Sequence, residues 1–163
     1  NDSRERESRE LIKIRDLITQ NKWSDVVVLE RDKVTSGTTW HAAGLMVTFG
    51  STSETSTELR KYTKQLYRSL EQETGQVTGF NPVGFIEVAS NTDRLEEYRR
   101  VAAFNRKCGV DVKEISPAEI ESLFPLCDTS DLLAGFYVED DGRVNPVDAT
   151  AALVIELAKV QPR

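Results

Sequence analysis

The chain has 163 residues, enough for one domain with a sizeable core, and its 39% hydrophobic and 29% charged residues are ordinary for a globular fold. A net charge of −6 argues against a nucleic-acid partner, because binding a phosphate backbone draws on clustered Lys and Arg. No apolar run approaches the roughly 20 residues that cross a bilayer, and two cysteines and one histidine without metal-ligand spacing argue against a metal site or a disulfide framework.

The first residue is Asn1 rather than methionine, which does not read as a native start. The opening NDSRERESRE mixes acids and bases without an apolar stretch, unlike a secretory signal, and a transit peptide would be poor in acids. Residues 8–20 place Leu11, Ile14, Leu17 and Ile18 on one face at helical spacing. After Trp23, the run Val26-Val27-Val28-Leu29 predicts a strand buried on both faces of a parallel sheet, ending at Glu30. A helix feeding such a strand is half of a βαβ unit. An acid at that tip can accept hydrogen bonds from a ribose diol, although strand-end acids are more often simply solvated.

From Arg31 to Ser53 small and hydroxylated residues dominate. Ser36, Gly37, Thr38, Thr39, Ala42, Ala43 and Gly44 surround Trp40 and His41, a composition that lets backbone approach a ligand. His41 is the single histidine, and a neutral imidazole is a nucleophile near pH 7. A lone histidine beside a tryptophan is, by itself, more often a packed or solvated side chain.

Residues 54–74 predict a helix with Leu59, Tyr62, Leu66 and Leu70 on one stripe and Gly75 past its end. A strand follows over 82–89, then a helix capped by Asn91 or Thr92 with Leu95, Tyr98, Val101, Ala102 and Cys108 on its stripe, then a short strand over 110–115. Ser116-Pro117-Ala118-Glu119 is a capping box with proline at the first helical position. A strand over 133–138 runs into the turn Asp140-Asp141-Gly142, whose acids read as solvated, and Asn145-Pro146 opens a last helix over 147–160. Glu96-Glu97 and Arg99-Arg100 read as the wet face of a helix, and Tyr62, Tyr67 and Tyr98 as packing residues. The fold class is mixed α/β (α+β).

The run VVVLERDKVTSGTTWHAAGL, residues 26–45, closely resembles the sarcosine and dimethylglycine dehydrogenases, flavoproteins of the D-amino-acid-oxidase fold family. The resemblance continues through ETG (73–75), PVGFIEVASNTDRLEEYRR (82–100), GVDVKEISPAEIESLFPL (109–126) and LAGFYVEDDGRVNPVDAT (133–150), covering roughly residues 24 to 158, and IEVASNTDRLEEYRR tilts it toward the sarcosine branch. It implies a partial FAD-binding Rossmann-like domain with part of a D-amino-acid-oxidase-type substrate domain, the whole of 1–163 being a fragment of one oxidoreductase domain. It also implies FAD joined covalently to His41, Glu30 on the adenosine ribose with Arg31 beside it, and Gly37, Thr38, Thr39, Trp40, Ala42, Ala43, Gly44 and Leu45 wrapping the cofactor. The implied reaction is oxidative demethylation of N-methylglycine or dimethylglycine, with an electron-carrier flavoprotein as acceptor, in the mitochondrial matrix of a eukaryote or the cytoplasm of a bacterium. A non-catalytic regulatory homologue, of the pyruvate dehydrogenase phosphatase regulatory subunit type, is the alternative; the attachment histidine favours the enzyme.

Such a flavoprotein carries strand, G-x-G-x-x-G and helix ahead of the Glu-bearing strand. Here RELIKIRDLITQNK precedes Trp23 and no glycine comes before Gly37, so 1–23 reads as a divergent helix in place of the first βα unit. The chain is therefore expected to be incomplete, to bind FAD weakly or not at all, and to be inactive in isolation. No catalytic residue is assigned, because the family's substrate-binding groups come largely from later segments.

Overall fold

The structure, a computed structural model, describes residue 27 and residues 29–160. The expected helix at 8–20, together with Trp23, Val26, Val28 and residues 161–163, lies outside the described residues. The described elements mix helices with antiparallel strand pairs, as the sequence predicts for the class: β1 (Leu45–Met46), α1 (Glu54–Thr74), β2 (Phe85–Ala89), α2 (Thr92–Lys107), β3 (Lys113–Ile115), α3 (Pro117–Leu123), β4 (Ala134–Val138), β5 (Gly142–Arg143) and α4 (Pro146–Val160). The chain divides into two compact units. One comprises Asn1–Gly44, Gln65–Phe80 and Val144–Arg163; the other comprises Leu45–Lys64 and Asn81–Arg143.

The second unit is built on a three-stranded sheet in the order β2-β4-β3, with Phe85 opposite Val138, Ala89 opposite Ala134, and Ile115 opposite Gly135. Strand alternation sends Phe85, Glu87 and Ala89 to one face. On that face Phe85 and Ala89 join a core of Phe49, Ala102, Val110, Val112, Phe136 and Val138, bordered by Val47, Leu95, Tyr98 and Val101, while Glu87 accepts a hydrogen bond from the Tyr98 hydroxyl at 3.0 Å. Phe136 sits at its centre, stacked on Phe49 at 5.7 Å and meeting Tyr98 edge-on at 5.7 Å. On the opposite face Gly135 leaves room for Ile120 of α3 and Ile86, which a β-carbon there would strike.

Local chemistry sets the helix ends. α1 spans the residues its apolar stripe marks out, with Leu66 and Leu70 buried, and stops at Gly75, whose φ of 75° and N–H bond to Glu71 O make an αL termination. Asn91 caps α2 by accepting the Arg94 N–H at 2.9 Å. At α3, Ser116 and Glu119 satisfy each other's backbone N–H groups, completing the box read from the sequence. The Ser116 N–H and hydroxyl both donate to the Glu119 carboxylate at 2.7 Å and hold it below the usual carboxylate range. Tyr67, buried in the first unit, has its phenol pushed up by desolvation.

Some sequence expectations change. The strand over 82–89 narrows to β2 and that over 110–115 to β3, with Val110 and Val112 delivered to the core from outside the ladder. The doubly buried strand at 26–29 is not found in its described residues: Val27 and Leu29 are 76% and 90% exposed and lie outside any strand. An apolar run encodes a central strand only when neighbours pair on both sides, and no described strand pairs with Val27 or Leu29.

Candidate functional site

The segment from Glu30 to Leu45 keeps the residues singled out in the sequence together on one exposed stretch of chain. Glu30 turns back on itself, its carboxylate accepting the Asp32 N–H at 3.0 Å. Arg31 is exposed beside it. A turn closed by the Ser36 N–H on Lys33 O follows, with Thr35 at φ 76°, an unusual backbone state for a β-branched residue. Thr38 then leads into a 3₁₀ turn, Thr39–His41, closed by the His41 N–H on Thr38 O. The turn lies against α4. Thr38 and Thr39 are half-buried, whereas Gly37, Trp40, His41, Ala42 and Ala43 are exposed. The Trp40 indole N–H donates to Ser36 O at 3.1 Å, and its ring centroid lies 3.8 Å from that of His41.

The two glycines of this segment serve different ends. A β-carbon at Gly37 would meet nothing within 4 Å, so its surroundings are open. Gly44 has φ 72° and its missing β-carbon is replaced by the Val144 carbonyl oxygen; the Val144 N–H returns a bond to Gly44 O at 2.8 Å. Gly44→Ala is therefore expected to lower stability by more than about 1 kcal/mol, since the left-handed conformation alone costs an L-residue that much and the collision adds to it. Gly37→Ala should leave the urea midpoint unchanged. Leu45, the last of the segment, is exposed and pairs with Arg143 in the β1–β5 ladder.

The second unit holds a buried polar clamp that the sequence did not disclose. Asp141 is fully buried and accepts the Thr48 N–H and the Thr48 hydroxyl, each at 2.7 Å. The Lys64 ammonium lies 3.1 Å from Asp141 and 3.1 Å from Asp140. Asn105, also fully buried, accepts the Gly50 N–H at 3.1 Å and donates to Ser51 O at 2.7 Å. Arg60 donates to Val47 O and Phe49 O. Three side chains, Asp141, Asn105 and Arg60, thus hold the backbone of residues 47–51, with Lys64 holding Asp141 in turn. The reading of Asp140-Asp141 as a solvated turn is corrected: Asp140 is exposed, but Asp141 is an interior anion with three donors around it. At the surface of this unit the Arg99 guanidinium grips Glu114 and holds its carboxyl below the usual range. Among the described residues no group of three His, Cys, Asp or Glu side chains could hold a metal ion, and no helix is long and apolar enough to cross a membrane.

Residues 14–160 match the sequence profile of the family described as FAD dependent oxidoreductase, DAO. The chain belongs to this family. Its curated relatives in that family include mitochondrial sarcosine dehydrogenase of Mus musculus, 41% identical over 128 residues (78% of this chain, 14% of that protein), and mitochondrial dimethylglycine dehydrogenase of Rattus norvegicus, 38% identical over 132 residues (79% and 15%). This chain thus spans about one-seventh of the length of these relatives. Among solved structures, L-proline dehydrogenase from P. horikoshii superposes with a TM-score of 0.81 at 22% identity, covering 90% of this chain and 38% of that one. Glycine oxidase from Geobacillus kaustophilus gives 0.68 at 26%, covering 80% and 37%. The mixed α/β fold is that of the family.

The family implies FAD, and the residues present suit one part of it. An exposed imidazole, an exposed indole and the open space at Gly37 leave the 37–43 segment free to lie along a flat ligand. None of the nine glycines of the sequence falls in the G-x-G-x-x-G spacing that receives a pyrophosphate.

Proposed function

We propose that this chain supplies the flavin-attachment segment of an FAD-dependent amine oxidoreductase of the sarcosine and dimethylglycine dehydrogenase type, with His41 as the residue joined to FAD. The observation that carries this reading is the exposed His41 imidazole within W-H-A-A-G, inside a stretch that matches both dehydrogenases. Bound FAD would supply the two-electron acceptor for oxidation of an N-methyl amino acid. The chain's own part is to offer the imidazole nitrogen at His41, to present Glu30 and Arg31 toward the adenosine ribose, and to keep Gly37, Thr38, Thr39, Trp40, Ala42, Ala43, Gly44 and Leu45 along the cofactor. In this reading the substrate of the whole protein is N-methylglycine or dimethylglycine, its electron acceptor a carrier flavoprotein, and its compartment the mitochondrial matrix of a eukaryote or the cytoplasm of a bacterium; the relatives' names support the substrate class and a mitochondrial compartment. A relative that is a pyruvate dehydrogenase phosphatase regulatory subunit, 34% identical, gives the non-catalytic reading its support. His41 tips the balance toward the flavoenzyme, because regulation needs no attachment residue.

Capture of flavin by the purified chain tests this. With no G-x-G-x-x-G in the sequence the affinity is expected to be low, so the chain is incubated in air with excess FAD and the bound fraction read as a covalent product, which accumulates even from a weak complex. The expected result is acid-stable yellow colour on a peptide containing His41, heavier by FAD less two hydrogens, with dioxygen taking up the electron pair and protons. His41→Ala should abolish it. Flavin that stays on the His41→Ala chain, or none on the parent chain, would overturn the assignment.

A further inference from the structure

The geometry points to Trp40 as a positioning residue that fixes the orientation of the His41 imidazole. The inference rests on the flavin reading of His41 but is carried by its own observations. Successive side chains of a 3₁₀ turn project about 120° apart, and sequence neighbours on a helix do not normally face each other. Yet the Trp40 and His41 ring centroids lie 3.8 Å apart with a 35° tilt between the planes. Both side chains must fold toward one another for this to occur.

The indole is itself held. Its N–H donates to Ser36 O at 3.1 Å, the carbonyl four residues earlier, so the ring is pinned across the turn that precedes it. It is also 60% exposed, so core burial does not account for its placement. A large aromatic ring fixed at one end to the backbone and covering one face of an exposed imidazole acts as a shelf: it restricts the imidazole to part of its torsional range. For a residue that must present one nitrogen to a flat partner, such restriction removes orientational entropy before the encounter. Trp40 therefore serves through His41, and its role is distinct from the general wrapping of cofactor assigned to its neighbours.

Because His41 is the single histidine, its signals need no assignment. The experiment records the imidazole carbon-bound proton resonances in the ligand-free chain, the rate of carbethoxylation by diethyl pyrocarbonate, and the rate of covalent flavin capture, for the parent, Trp40→Phe and Trp40→Ala. The expected result is an upfield displacement of the imidazole resonances in the parent from the indole ring current, lost in Trp40→Ala and partly kept in Trp40→Phe. Trp40→Phe retains a ring but not the bond to Ser36. Carbethoxylation should be faster in Trp40→Ala, and flavin capture slower by about tenfold or more, the scale of a misplaced reacting group. Far-ultraviolet circular dichroism and the urea midpoint should not change. Imidazole resonances at free-histidine positions in the parent, or unchanged in Trp40→Ala, would overturn the inference. The two readings separate cleanly. A parent chain that shows the ring-current displacement but captures no flavin removes the flavin assignment and leaves the shelf, whereas capture without displacement removes the shelf.

Discussion

Asp141→Ala is expected to destabilise the second unit by about 3–5 kcal/mol, the usual cost of breaking a buried ion pair from one side. The size follows from what remains. Lys64 is 9% exposed at its side chain and among the described residues would keep only the exposed Asp140 as counter-ion, while the buried Thr48 N–H and hydroxyl would lose their acceptor. Equilibrium urea unfolding followed by circular dichroism measures the effect. Asp141→Ala combined with Lys64→Met removes both charges and should recover part of the loss, because the uncompensated ammonium is then gone. A shift of the single variant below about 1 kcal/mol, the scale of a solvated ion pair, would mean that the clamp is open in solution.

Phe136→Ala is the second large effect, expected at about 3–5 kcal/mol. Phe136 has no exposed surface, stacks on Phe49, and receives the edge of Tyr98, so truncation leaves a void bordered by two rings that cannot both collapse into it. Its backbone is held in register opposite Glu87 and Glu114, which prevents the strand from shifting to fill the gap. Phe136→Leu should cost less, as part of the volume is retained. The same unfolding measurement ranks the two, and equal costs would show that cavity volume does not govern the loss.

Much of this architecture is legible from local signals. The bounds of α1, the glycine after it and the Ser116–Glu119 box depend on residues within a few positions of one another and appear as read, and of the two caps offered for α2, Asn91 and Thr92, the structure uses Asn91. Contacts between distant residues are not legible in this way. Thr48 and Asp141 are 93 positions apart, and nothing in an Asp-Asp-Gly turn reveals that one carboxylate enters the interior while its neighbour meets water. Val27 and Leu29, the described residues of the strand expected over 26–29, stand outside any strand for a related reason: composition describes a strand with partners, and partners are a property of the sheet. Of the candidate site, Glu30 to Leu45 could be picked out by composition and by resemblance. The indole-to-carbonyl bond and the ring pair at Trp40 and His41, however, depend on a turn geometry that the letters do not encode.

Asp141 is followed by Gly142, a dipeptide that ages readily in unstructured peptides, where the glycine nitrogen attacks the aspartyl carbon to give a succinimide and then isoaspartate. In the folded chain that carboxylate is immobilised by Thr48 and Lys64, and the space a β-carbon would occupy at Gly142 is taken by the Asn81 carbonyl, so the nitrogen cannot swing round to attack. Isoaspartate at this position would therefore accumulate only in molecules whose corner has opened, which makes the bond an internal chronometer of local unfolding in stored protein.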